Sequence, residues 1–199
     1  MTNSEKKGYR IANQYAAYFL TFTVVGWVDL FTRKECRNII IQSLKYCQKN
    51  KGLILNAYVI MPSHIHLIVR AEEASKGLSS IIRDFKSHTF RELKKFILNS
   101  KKESRRDWLN IVFNYHAKYN SNNTHWQIWK QDNRPKILLH PKFTMQKIRY
   151  IHNNPVVDDI VENPEDYLYS SSRNYLDYDD TMISVTIIDF GVQEGYVFI

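Results

Sequence analysis

Two short stretches hold the residues best suited to chemistry. The first is Met61-Pro62-Ser63-His64-Ile65-His66-Leu67-Ile68-Val69. In an extended chain, side chains two residues apart share a face. His64 and His66 therefore project together, while Ile65 and Leu67 turn into a core. Two neutral imidazoles side by side can chelate a divalent metal once a third ligand arrives from elsewhere. The competing interpretation is a pair of exposed strand histidines with no task. The Pro62-Ser63 turn favours ligation, because it fixes the backbone that presents the pair. A histidine-triad nucleotide hydrolase would need a third alternating histidine, and that place is Ile68. A structural zinc site is disfavoured too, since neither cysteine lies near by in sequence.

The second stretch is Lys147-Ile148-Arg149-Tyr150-Ile151-His152-Asn153-Asn154-Pro155. On a helix, Tyr150 and Asn154 stand one turn apart on one face. A phenol can attack a phosphodiester and conserve the bond energy as a tyrosyl phosphate. The Asn154 amide oxygen is placed to supply the missing metal ligand. Phenols ordinarily lose their proton near pH 10, so a helper is needed, and His152 or Lys147 could serve. The chain has 13 tyrosines, and a helical tyrosine is more often a packing residue. Tyr115 and Tyr119, flanking His116, form a rival pair. Tyr150 is preferred for its Asn-Pro context and the amide one turn on.

These side chains need a frame. Tyr15 to Val25 is rich in aromatic and β-branched residues and reads as a strand too apolar for an edge. Thr32 with Glu35 has capping-box spacing for a helix over Arg33 to Asn50, ended by Gly52. Leu53 to Met61 and Ile65 to Ala71 form an antiparallel pair. A long helix follows over Leu78 to Leu98, then a shorter one over Asp107 to Tyr119 and a loop at Asn120 to Thr124. Trp126 to Trp129 and Lys136 to Leu139 are short strand candidates. The last helix starts at Pro141 or Thr144 and is expected to stop at Asn153-Asn154-Pro155, because proline disfavours helical geometry in the residue before it. Ile183 to Ile188 is one more weak strand. The order is that of an α+β, ferredoxin-like βαββαβ sandwich with an antiparallel sheet, plus an added C-terminal helix carrying the tyrosine. The divisions are an N-terminal extension (1–14), a catalytic domain (15–175) and a C-terminal tail (176–199).

At 199 residues with a formal charge of +8, the chain suits one basic domain, and basic domains favour nucleic acid. Lys86, Arg91, Lys94, Lys95, Lys101, Lys102, Arg105 and Arg106 crowd the middle, interleaved with Phe85, Phe90, Phe96 and Trp108. That alternation suits a helix with one buried and one basic face. Cys36 and Cys47 lie about three helical turns apart and cannot pair within a straight helix. Reduced thiols, a polar N-terminus and no run long enough to span a bilayer lead to the expectation of a cytoplasmic, nucleoid-associated protein with no membrane partner.

Taken in order, His64-Ile65-His66, then Tyr150-Ile151 followed by Asn154-Pro155-Val156, then Asn163-Pro164-Glu165-Asp166-Tyr167-Leu168-Tyr169-Ser170-Ser171, the chain resembles the HUH-type single-tyrosine transposases of bacterial insertion sequences. Within them it is most similar to the REP-associated tyrosine transposases. The resemblance spans about Tyr15 to Tyr175. Tyr169 stands where that family commonly has tryptophan.

The resemblance implies that His64, His66 and Asn154 bind Mg²⁺ or Mn²⁺ and that Tyr150 is the nucleophile. It further implies a 5′-phosphotyrosine intermediate on single-stranded DNA bearing hairpin (inverted-repeat) elements, in a monomer or homodimer. Lys86, Arg91, Lys94 and Arg149, with Trp126 and Trp129, are candidate DNA contacts. The main alternative is a protein of the same fold that binds nucleic acid without cutting it. An RNA-binding ferredoxin-like sheet should carry an aromatic-glycine strand signature, which none of these strands has.

Overall fold

A computed structural model describes residues 10–119 and 125–188. Asn120 to Thr124 and the outer parts of both chain ends lie outside the described residues. Strand β1 is Tyr18–Thr23, helix α1 Lys34–Lys51, β2 Leu53–Ile60 and β3 His64–Ala71. Helices α2 (Leu78–Asn99) and α3 (Arg106–Lys118) follow, then β4 (Lys136–Ile137), α4 (Pro141–Val157) and a single turn, α5 (Ser172–Tyr175). The sheet order is β2-β3-β1-β4 with every pair antiparallel. This is the ferredoxin-like arrangement, with α3 inserted before β4 and α4 added after it.

The strand period of two sorts β1 onto two faces. Phe22 points to α2, where it meets Phe85 edge-on at 5.5 Å. On that face α1 and α2 pack against each other and against the sheet. Phe19 points the other way, to α4, and its ring lies 6.0 Å from that of Tyr150. Leu20, Leu55, Ile65, Leu67 and Ile68 are fully buried, each such burial contributing about 1.5–3 kcal/mol. Gly52 takes a left-handed conformation (φ 70°) and its N–H caps α1 at the Cys47 carbonyl, a geometry that glycine adopts without strain. Both cysteines are free and buried.

Several local expectations are corrected. Thr32 does not cap α1, since its hydroxyl donates to the Asp29 carbonyl and Arg33 takes the cap position without a side-chain bond. The first strand is shorter than Tyr15 to Val25, because Val25–Trp27 turns through Gly26. Trp126 to Trp129 makes only an isolated bridge, Val24 to Trp129. Helix α4 does not stop at Asn154 but continues through Pro155 to Val157. Proline here removes only the donor to the Ile151 carbonyl, a loss tolerable so near a helix end. Its own carbonyl accepts from Ile160.

The free edge of β2 is covered. Ile60 N–H donates to the Tyr169 carbonyl at 2.9 Å, and Ser171 N–H to the Tyr58 carbonyl at 2.9 Å. Further along, Thr186 N–H donates to the Leu55 carbonyl at 2.8 Å, and the Asn56 amide reaches the Thr186 carbonyl at 2.7 Å. The buried Asn56 sits at the bulge between Leu55 and Ala57. Ile183 to Ile188 thus lies along β2 without forming a regular strand, and an otherwise open sheet edge is blocked.

Candidate active site

The histidines are placed by β-pairing. Antiparallel register sets Thr21 opposite His66 and Thr23 opposite His64. The turn before them is closed by Met61 N–H donating to the His64 carbonyl at 2.8 Å. Val24 and Phe31 fasten it further through N–H bonds to the Ser63 and Pro62 carbonyls. The two imidazoles lie 4.7 Å apart, centroid to centroid.

His66 is buried and gripped on several sides. Its Nδ1 is 3.0 Å from Thr21 Oγ1, its ring stacks on Phe19 at 5.2 Å, and its Nε2 is 3.4 Å from the Tyr150 hydroxyl. Burial pushes its pKa down to about 3, helped by the neighbouring His64 and Lys147. Burial also lowers that of His64, with Asn154 and Asp158 partly opposing. Burial thus favours the neutral form of both rings, in which each imidazole keeps one nitrogen lone pair.

Tyr150 and Asn154 come to this face from α4, one turn apart as their spacing predicts. Tyr150 is 45 % exposed, open to a substrate, whereas Asn154 is buried. The Asn154 side chain lies near enough to favour a proton on His64, yet its Oδ1 makes no hydrogen bond. A buried amide oxygen without a donor costs roughly 1–3 kcal/mol, which suits a group awaiting a cation. Among the described residues no cluster of three His, Cys, Asp or Glu is placed to hold a metal. Asn154 is the residue that could complete a set with the two histidines.

The other candidates divide. Lys147 stands at the site, its ammonium 5.3 Å from the Tyr150 ring centroid and 5.2 Å from that of Phe19. His152 does not. It is buried on another side of α4, 2.9 Å from Ser171 Oγ, and burial pushes its pKa down to about 4. It is held toward Ser171 and is not placed to deprotonate Tyr150. Tyr115 on α3 and Tyr119 just past its end are exposed and pack on each other at 5.1 Å.

Arg149 is exposed and lines a groove of about 710 Å³ along α4, with Gln146, Tyr150 and Asn153. Lys86, Arg91 and Lys94 belong to α2, across the sheet from Tyr150. Lys86 points inward, donating to the Lys130 carbonyl at 2.9 Å and Asn133 Oδ1 at 3.0 Å. Lys94 lies over Trp126 at 5.1 Å, and Arg91 is exposed. Trp126 and Trp129 are buried, their indole N–H groups satisfied by Asn110 Oδ1 and Thr89 Oγ1. They cannot offer a face to a base. Thr21 and Phe19 went unrecognised in the sequence. The polar residues alternating in Leu20-Thr21-Phe22-Thr23 are the signal that could have marked the site face of β1.

A family model described as "Transposase IS200 like" matches residues 16–128, more than half of the chain. The chain belongs to the IS200-like transposase family. The matched span carries His64 and His66 of this transposase and ends before Tyr150. Transposases are DNA-cleaving, strand-transferring enzymes, and that class now applies here. A solved structure of a REP-associated tyrosine transposase bound to a REP hairpin is 20% identical, with 98% of this chain and 99% of that one covered and a TM-score of 0.56. The two share a fold. A crystal structure from Deinococcus radiodurans R1, of a protein assigned to the transposases, is 15% identical over 80% of this chain and 98% of its own, with a TM-score of 0.39. No curated protein matches. No helix of this transposase, among the described residues, is long and apolar enough to cross a membrane.

Proposed function

We propose that the chain cleaves and rejoins single-stranded DNA at hairpin-bearing ends, as a transposase of the REP-associated type, with Tyr150 as nucleophile. The observation that carries this is the 3.4 Å approach of the Tyr150 hydroxyl to His66, beside His64 and the unpartnered Asn154 oxygen. Among the described tyrosines, Tyr150 combines an exposed phenol with this histidine pair. The structural relative carries a REP hairpin, and the net charge of +8 suits a polyanion.

In the first step Tyr150 Oη forms a bond to phosphorus, and the bond from phosphorus to the 3′ oxygen breaks. The 3′ oxygen leaves with a proton, and the 5′ end stays on the enzyme as a phosphotyrosine. Rejoining is the reverse attack by a 3′-hydroxyl, so one phosphoester replaces another and no nucleotide is consumed. Lys147, whose ammonium lies beside the Tyr150 ring, steadies the negative charge on the scissile phosphate oxygens as the phenol attacks. Phe19 and the sheet wall one side of the site against water.

The donor set fits a divalent cation, with His64, His66 and Asn154 as its ligands. Mg²⁺ or Mn²⁺ held there would draw charge from the scissile phosphate oxygen, and imidazole ligands favour Mn²⁺ over Mg²⁺. The test is a denaturing gel of the protein with labelled single-stranded hairpin DNA and Mn²⁺. A covalent protein–DNA band is expected for wild type, lost with Tyr150→Phe and with chelator. A band that persists in Tyr150→Phe would remove Tyr150 from the mechanism. Hairpins bound tightly and never cut would leave a binding protein on this fold.

A further inference from the structure

Trp27 stands at the edge of the histidine site in a conformation that its residue type disfavours. It has φ 56°, directly after Gly26 at φ 65°. A bulky residue in the left-handed region is a rare outlier that costs of order 1–3 kcal/mol and persists only where its surroundings impose it, which is an observation about strain and not yet about purpose. The surroundings here do impose it. Trp27 N–H donates to the Val24 carbonyl at 3.1 Å, Val25 N–H to the Ile128 carbonyl at 2.8 Å, and Lys130 N–H to the Thr23 carbonyl at 2.8 Å. Gly26 is pressed under α3, where an added Cβ would meet His116 Nε2 at 3.1 Å.

Folding gains nothing obvious from the side chain so held. At 60% exposure Trp27 is the most open of the four tryptophans. Its ring meets His64 edge-on at 5.8 Å, and Lys130 Nζ lies 4.4 Å from its centroid. A flat apolar surface, a cation against it and a neighbouring phosphate site are the parts from which single-strand binding surfaces are built. Glycine would relieve the strain at Trp27 and tryptophan cannot.

We propose that Trp27 binds and positions the substrate strand, its exposed indole face stacking on a nucleobase next to the phosphate received between His64, His66 and Tyr150. Lys130 meets the backbone of the same nucleotide. This rests on the function proposed above, because it takes single-stranded DNA as the ligand. Stacking is tolerant of sequence, so Trp27 fixes the spacing of base and phosphate and not the identity of the base.

The probe is a DNA hairpin with a single-stranded oligo-dT flank, beside the same hairpin with an abasic flank. Binding is read by fluorescence anisotropy with the full chain in the Tyr150→Phe background, and adduct formation with Tyr150 intact. Trp27→Ala is expected to weaken binding to the dT flank roughly tenfold or more and to change binding to the abasic flank little. Trp27→Tyr should recover most of the loss. Trp27→Gly should lose binding as Trp27→Ala does while its melting temperature stays level or rises, a combination that a structural role for the indole would not produce.

Equal affinities of wild type and Trp27→Ala for the dT flank, or equal losses on both flanks, would overturn the stacking role and leave the cleavage proposal untouched. No adduct from wild type on any hairpin, with the dT-specific loss still present, would instead overturn cleavage and keep stacking. Absence of any DNA binding would overturn both.

Discussion

Thr21 Oγ1 stands 3.0 Å from His66 Nδ1, across the β1–β3 ladder. A hydroxyl can accept from an Nδ1–H or donate to a bare Nδ1, and the tautomer that turns an Nε2 lone pair toward the Tyr150 hydroxyl is the one in which Thr21 accepts. In that tautomer the one hydroxyl holds the tilt of the imidazole and leaves Nε2 with its lone pair toward the site. Such a partner behind a ligating histidine commonly changes metal affinity or activity 10- to 100-fold.

Thr21→Val should keep the fold and both histidines yet weaken Mn²⁺-dependent cleavage by about tenfold or more, with partial recovery at high Mn²⁺. Thr21→Ser should stay near wild type. Titrating Mn²⁺ against cleavage rate for the three proteins measures this, and identical midpoints for Val and Thr would show the bond to be idle.

The unpartnered Asn154 oxygen carries a different expectation. Asn154→Ala removes a proposed ligand, so the Mn²⁺ concentration for half-maximal cleavage should rise roughly tenfold or more. Because the lost oxygen had no hydrogen bond, stability without metal should hold level or improve. A loss of stability in chelator, with the Mn²⁺ midpoint unmoved, would make Asn154 a packing residue.

Much of this site was legible in the sequence because it rests on local geometry. His64 and His66 share a face by strand alternation, and Tyr150 and Asn154 by one helical turn. The element order also carried the ferredoxin-like sheet. What could not be read depends on register and packing between distant segments. Thr21 meets His66 only through the β1–β3 pairing, and His152 faces Ser171 because Tyr169 to Ser171 line β2. The basic residues of α2 are separated from the site by the sheet, which their spacing in sequence does not show. Trp126 and Trp129 have the residue type of stacking surfaces but are buried, and Trp27, two residues past the end of a long apolar run, carries no local signal of its place. Its left-handed φ is a property of the folded chain.

Lys147 should matter to rate more than to binding. Its ammonium lies beside the Tyr150 ring, where it would meet the charge that spreads over the phosphate oxygens during attack. Lys147→Met is expected to slow adduct formation roughly tenfold, about 1.4 kcal/mol of barrier, with Lys147→Arg recovering most of it. Single-turnover rates at saturating DNA separate this from affinity. A change confined to affinity would make Lys147 a contact to the bound DNA alone.

His152 should behave in the opposite way. It is held at Ser171, whose hydroxyl accepts from Tyr58 N–H at 3.0 Å, and so helps fasten the strap over β2. His152→Phe removes this bond while the hydroxyl keeps Tyr58 N–H and, at 3.3 Å, the Tyr58 carbonyl, and should destabilise the fold by about 0.5–1.5 kcal/mol. The pH profile of cleavage by the folded fraction should keep its shape. A limb of that profile lost with His152 would restore it as a proton carrier.

The last expectation concerns Lys86, whose ammonium is buried between the Lys130 carbonyl and Asn133 Oδ1. Burial pushes its pKa from the ordinary 10.5 down to about 8, with Asp132 partly opposing. Below pH 8 the folded and unfolded chains both hold the proton, and the cost of burying the charge is present in full. Between about 8 and 10.5 the unfolded chain binds more protons than the folded one, so stability from this group rises with pH, by at most about 1.4 kcal/mol per unit. Above 10.5 both forms are neutral and the gain is complete. Lys86→Met has no such proton, so the stability of wild type relative to the variant should climb as pH goes from 8 to 10. Urea midpoints at three or four pH values in that window would show it. Parallel curves for the two proteins would mean that the ammonium is better solvated than its burial implies.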